Sequence, residues 1–224
     1  MKILVACEES QAVTIELRKL GHEAYSCDII EPSGGHPEWH IQQDVLPLLD
    51  GKCEFKTVDG TLHNISDRWD MIIAFPPCTY LSNAGACRLY PQKGVLNKER
   101  YQKGLQAKDF FMQIYNADCE RIAIENPVSS KIFNMPLHTQ EIQPYQFGHP
   151  YTKKTRLWLK GLPLLIPTNI VEAISPYVPA GTGRKDRSKY GAAKRGEDSK
   201  NRAKTFPGIA KAMAEQWTKE DTPC

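Results

Sequence analysis

A cysteine that follows two prolines at the end of an apolar run is held on a stiff turn rather than packed in a core. Residues 74–85 read Ala74-Phe75-Pro76-Pro77-Cys78-Thr79-Tyr80-Leu81-Ser82-Asn83-Ala84-Gly85. This puts the Cys78 thiol at a sheet edge, where a nucleophile belongs, and the surroundings must then favour its reactive thiolate form. The competing reading is a small buried apolar residue, the commoner fate of cysteine, but the prolines and the polar sequel count against it. Glu125-Asn126-Pro127 ends a second apolar run. A carboxyl group there can hydrogen-bond a ring nitrogen or exocyclic amine of a base, and desolvation would raise its pKa toward work as an acid. Taken alone, the tripeptide fits an ordinary turn equally well. In Tyr151-Thr152-Lys153-Lys154-Thr155-Arg156-Leu157-Trp158-Leu159, basic residues lead into an alternating strand. Lys154 and Arg156 fall on one face; they would bring positive charge to a substrate or to the thiolate, or simply guard an edge strand.

The elements around these residues predict a Rossmann-like α/β fold with a mostly parallel sheet. Lys2–Ala6 is a buried strand; Ser10 caps a helix with Val13, Leu17 and Leu20 on one face, which Gly21 stops; a second strand runs from Glu23 to Cys27 and ends at Asp28. Met71–Phe75 and Arg121–Glu125 are further apolar strands, with a helix from about Lys98 to Tyr115 between them. Thr155–Leu159 is a later strand, and a last helix, from about Pro207 to Thr218, carries Ile209, Met213 and Trp217 on one face. Ligands bind such sheets outside the carboxyl ends of the strands. Cys7-Glu8, Asp28, Cys78 and Glu125-Asn126 all stand at those ends.

The 224 residues allow one sizeable domain. No apolar stretch approaches the roughly 18 to 20 residues needed to cross a bilayer, so no membrane association is expected. Seven cysteines without a CxxC pair, and an opening that runs straight into a strand, predict free thiols in a reducing cytoplasm. Cys27, His36, His40 and Cys53 fit no common zinc spacing, and no metal is expected. The formal charge of +3 is unevenly spread. Residues 184–204 hold nine basic and three acidic residues, +6, leaving 20 basic and 23 acidic elsewhere, −3. This strap is either a solvated lysine-rich loop or a contact for a phosphate backbone.

In order along the chain, these residues resemble the DNA cytosine C5-methyltransferase family, which uses S-adenosylmethionine. Pro77-Cys78, Ser82 and Ala84-Gly85 carry the specific part of the match, around the family's nucleophile. Glu125-Asn126 is similar to its next catalytic motif, with Pro127 in place of valine. Thr152, Lys154 and Arg156 fall where the family has Gln-x-Arg-x-Arg, and Thr205-Phe206-Pro207 resembles the segment that closes the cofactor site. The resemblance implies a methyltransferase fold and a covalent Cys78 adduct at cytosine C6. Glu125 would steady N3 and the amino group, with Arg156 or Lys154 positioning the base. For the cofactor it implies Ala6 and Cys7 at the first turn, Asp28 on the ribose, Ile29 against adenine, Asp44 on the adenine amino group, and Phe75-Pro76 alongside. Ser82, Asn126 and the strap residues Arg184, Lys185, Arg187 and Lys189 would meet DNA. Residues 1–160 would form the catalytic and cofactor-binding core, 161–204 a reduced target-recognition region, and 205–224 a helix returning to the core. So short a recognition region predicts weak sequence reading or help from an accessory protein. The rival expectations are a non-catalytic DNA-binding or regulatory protein on a degenerate methyltransferase fold, and a methyltransferase acting on a free pyrimidine nucleotide.

Overall fold

A computed structural model of the protein describes residues 1–177 and 205–219. Its elements are β1 (Lys2–Ala6), α1 (Ala12–Lys19), β2 (Glu23–Asp28), β3 (His40–Gln42), β4 (Cys53–Lys56), β5 (Leu62–Ile65), β6 (Met71–Ala74), α2 (Ala86–Leu89), α3 (Lys98–Tyr115), β7 (Ile122–Pro127), β8 (Gln140–Ile142), β9 (Tyr151–Thr152), β10 (Thr155–Lys160), β11 (Ser175–Pro176) and α4 (Pro207–Trp217). Seven strands form the central sheet in the order β3-β2-β1-β6-β7-β10-β8. The pairs from β3 through β7 are parallel, and β10 runs antiparallel to both β7 and β8. Counted along the chain, β3-β2-β1-β6-β7 are the third, second, first, fourth and fifth strands of the sheet. That is the doubly wound order, which reverses between β1 and β6. The result is a mixed α/β fold consistent with a Rossmann-like one.

The sequence of the inner strands explains their position. Ile3-Leu4-Val5 and Met71-Ile72-Ile73 are apolar on both sides, as a parallel sheet covered on both faces requires. On one face Ile3, Val5, Ile73 and Leu157 meet Val13 and Leu17 of α1 and Ile209, Met213 and Trp217 of α4. On the other, Leu4, Ile72, Ile124 and Trp158 meet Phe111 and Ile114 of α3 and the Phe55, Ile65 and Trp69 side chains. The short strands β3 and β8, the β4–β5 hairpin and the β9–β11 pair were not expected from the sequence. Leu20, expected on the buried face of α1, is 46% exposed. Gly21 ends that helix as expected, at φ +83°. Ser10 does not cap it: the N-cap position is Gln11, in the left-handed region, and makes no side-chain capping bond.

Gly104 lies buried in α3, where a Cβ would overlap the Phe133 ring. Helix propensity favours alanine there by about 1 kcal/mol, but overpacking costs about 1–3 kcal/mol. Gly104→Ala is therefore expected to lower the urea midpoint, with an unchanged m-value, despite the better helix former.

Candidate active site

The β6–α2 connection starts where β6 leaves the sheet. The Phe75 N–H donates to Ala6 O (2.9 Å), which keeps the chain in line with β1 for one further residue. Pro76 is buried, and its carbonyl accepts from Asn126 Nδ2 (3.4 Å). The half-buried Cys78 then opens a tight turn in which its carbonyl accepts from the N–H groups of Leu81 (3.1 Å) and Ser82 (2.8 Å). Fully buried Leu81 anchors the turn beside Leu89 and Phe133. Backbone bonds staple it to the segment after β7: Asn83 N–H to Val128 O and Ser130 N–H to Leu81 O, both 2.8 Å, with Ser82 bridging Ser129. The Cys78 turn and the Glu125-Asn126 strand end are therefore one structural unit. Within it, Asn126 is fully buried, and its Oδ1 and the Ser129 Oγ have no hydrogen-bond partner. Buried polar atoms without a partner are uncommon in folded proteins.

Arg100, one turn into α3, was not singled out by sequence reasoning. Its Nη2 donates to Thr79 O (2.7 Å), and its guanidinium lies 5.0 Å from the centre of the Tyr80 ring. Gly85 leaves it room, because a Cβ there would stand 2.6 Å from Nη2. Arg100 thus grips the residue after the thiol.

Strand parity sorts the basic residues differently from the sequence expectation. Lys154 and Arg156 do share a side, but they face Glu141 of β8, with Lys154 Nζ 2.9 Å from Oε1 and Arg156 Nε 3.6 Å from Oε2. Glu125 instead pairs with Leu157 across β7 and β10 and has Lys153 as its cationic neighbour. Burial pushes the Glu125 carboxyl above its ordinary pKa, and Lys153 works in the opposite direction. Counting alternate residues back from Leu157 reaches Lys153, and that was the available signal. Lys153 Nζ also lies 5.8 Å from the centre of the Phe206 ring, which packs with His149, Tyr151 and Tyr177. At the start of α4, the Gly208 N–H donates to His149 Nε2 (3.0 Å). Only glycine fits there, since a Cβ would run into Phe147 O.

Toward β3 the same edge is acidic. Ala6 is fully buried, and Cys7 follows at φ +58°. Burial, helped by Asp28, Cys27 and Asp44, pushes the Cys7 thiol far above its ordinary range, so those carboxylates face the end of β1. Asp28 and Asp44 each accept a backbone N–H two residues on, from Ile30 and Leu46. Ile29 is 73% exposed beside them. Glu8, by contrast, is buried: its Oε1 accepts from Val13 N–H (2.7 Å), and its Oε2 from Thr14 N–H (3.3 Å) and Thr14 Oγ1 (2.7 Å). It does the capping expected of Ser10.

Among the described residues no group of three or more metal-ligating side chains converges. His36 stacks on Trp39 at 3.8 Å, and His40 bonds Ser26 and Ile30 O. Arg184, Lys185, Arg187 and Lys189 lie outside the described residues. Comparison with protein-family models and with curated proteins finds no match.

Two outcomes test this geometry. Arg100→Met should loosen the Cys78 turn and slow the alkylation of Cys78 by a base-directed probe about tenfold, with little change in thermal midpoint. Burial, opposed by its hydrogen bonds and reinforced by Glu9, raises the Glu8 pKa from 4.5 to about 7. A carboxyl group whose folded pKa is raised contributes stability that is full below about pH 4.5 and is lost as pH climbs through 7. Relative to the non-titrating Glu8→Gln variant, the wild type should therefore lose about 3 kcal/mol between pH 4 and pH 8. Urea denaturation of both proteins across that range reads it.

Proposed function

We propose that the protein methylates cytosine C5 in DNA with S-adenosylmethionine, through a covalent adduct between Cys78 and cytosine C6. The observation that carries this reading is the stapling of the Cys78 turn to the Glu125-Asn126 strand end, beside the reversal of strand order between β1 and β6, where α/β sheets bind their ligands. The reading also draws on the sequence resemblance around Cys78 and on the mostly parallel sheet that it implies. The donor set fits the cofactor: Asp28 and Asp44 would hold the ribose and the adenine amino group, and the acidic surroundings of Cys7 suit a sulfonium cation. When bound, S-adenosylmethionine supplies an electrophilic methyl group.

The chain's own residues do the rest. Cytosine C5 is a poor nucleophile until the Cys78 thiolate forms a bond to C6, which makes the ring an enamine. Glu125, with its pKa raised by burial, is protonated more readily than an exposed carboxyl; it donates to N3 and offsets the charge that builds on the ring. Asn126 Oδ1, buried without a partner, accepts from a base amine. Once C5 carries its methyl, loss of the C5 proton to a base expels the Cys78 thiolate and restores the ring. Arg100 fixes the turn so that the thiol keeps its position. A base inside a duplex must first be flipped out.

A polymer is favoured over a free nucleotide by the charge on the thiol's own flank. Residues 79–103 carry Arg88, Lys93, Lys98, Arg100 and Lys103 against Glu99 alone, and the strap adds to this.

Wild-type protein with cofactor should form a denaturation-resistant complex with DNA containing 5-fluorocytosine, and Cys78→Ala should form none. Glu125→Gln should lower the methylation rate by about 10²–10⁴. Bisulfite sequencing of DNA from expressing cells reads the target context. If the wild type traps no fluorinated DNA and leaves every cytosine unmodified, the proposal fails.

A further inference from the structure

The connection between β1 and α1 has the location of a phosphate-binding turn but not its chemistry. In nucleotide-binding α/β folds, the helix after the first strand points free N–H groups at a pyrophosphate. Here two of those groups, the N–H groups of Val13 and Thr14, are taken. Glu8 accepts from the N–H groups of Val13 and Thr14 and from the Thr14 hydroxyl, and the Ile15 N–H donates to Gln11 O (2.8 Å). Glu8 is only 4% exposed, so its carboxyl group already occupies, inside the turn, the place a bound phosphate would take.

The turn is also locked in shape. Gln11 holds φ +57° while its side chain donates to Ser26 Oγ (3.2 Å) and His36 O (2.8 Å) and accepts from His36 N–H (3.1 Å). The 29–36 segment closes over it. A Cβ on Gly34 would stand 2.6 Å from Gln11 Cβ and 2.7 Å from Ser10 O, and the Ser33 N–H donates to Glu9 O (2.8 Å). Glu9, Asp28 and Asp44 add negative charge around the same strand end.

We infer that Glu8 is a specificity determinant that closes the first turn to phosphate, so that this edge takes an adenosine whose 5′ substituent is neutral or cationic and refuses nucleotides. The inference rests on the cofactor reading above for the seating of adenosine with its ribose at Asp28. It goes beyond that reading in naming the residue that rejects the phosphate-bearing cofactors for which this fold is otherwise suited.

Calorimetric titration of adenosine, S-adenosylhomocysteine, ADP and inorganic pyrophosphate tests it. The wild type should bind adenosine at least tenfold more tightly than ADP and should not bind pyrophosphate. Glu8→Gly should bring ADP to at least the affinity of adenosine and should bind pyrophosphate. Glu8→Gln, which keeps an acceptor oxygen and the side-chain volume, should narrow the ratio several-fold and serves if the glycine variant does not fold. ADP binding the wild type as tightly as adenosine, or an unchanged ratio in a folded variant, overturns the inference. If the wild type binds no adenosyl ligand, the cofactor reading fails by itself. Pyrophosphate then decides the role of Glu8 alone: binding gained on its removal upholds the closing of the turn to phosphate, and binding by neither protein overturns it.

Discussion

A parallel sheet covered on both faces leaves polar chemistry nowhere to go but its ends. Ala6, Ala74 and Ile124 pair at one level across β1, β6 and β7; β1 and β6 end at that level, while β7 runs on beside β10 to Pro127. Cys7, Phe75 and Glu125 are the first residues past that level. Moving a carboxyl group one turn deeper would bury it without donors, at a cost of several kcal/mol. Even at the edge the cost is visible in the raised pKa values of Glu8 and Glu125. The register of three strands thus decides which side chains can meet, and the loops then fix how they meet.

The loops do so through main-chain bonds more than side-chain contacts. Cys78 O accepts the bonds that close its turn, Val128 O and Leu81 O accept those that fold it onto the segment after β7, and the Asn126 and Arg100 side chains add hydrogen bonds to that frame. The charge around the frame is divided. Glu9, Asp28 and Asp44 gather around the end of β1, whereas Arg100 and Lys103 lie over the Tyr80 ring, two residues after the thiol. The cationic methyl donor and polyanionic acceptor proposed above would need such opposite surroundings a short distance apart.

What was legible in the sequence follows from how each element is buried. β1, β6 and β7 are apolar on both faces, so continuous runs announced them, and the prolines after β6 marked the Cys78 turn. The β4–β5 hairpin was not legible, because Cys53-Glu54-Phe55-Lys56 alternates over only four residues. The face of Lys154 and Arg156 was readable by parity, but their partner Glu141 comes from β8, a three-residue strand that no local pattern signals. Glu8 was visible only as a polar residue at the carboxyl end of β1. Its role depended on where the α1 amides point, and that direction is set by Gln11, for which a left-handed conformation could not be anticipated.

That conformation explains how the turn dispenses with glycine. Cys7 and Gln11 both hold positive φ, at about 1–2 kcal/mol for each non-glycine residue. The three bonds of the Gln11 side chain, each contributing about 1 kcal/mol net, are enough to hold the strained residue in place. A glycine-rich turn remains plastic and leaves its N–H groups to the ligand. This turn is held by side-chain bonds of its own, and the Val13 and Thr14 N–H groups already belong to Glu8. Under the proposed reading, recognition at this edge would come from Asp28, Asp44 and the exposed Ile29 and Ile30 more than from the Val13 and Thr14 N–H groups, which favours a ligand read by its base and ribose over one read by its phosphates.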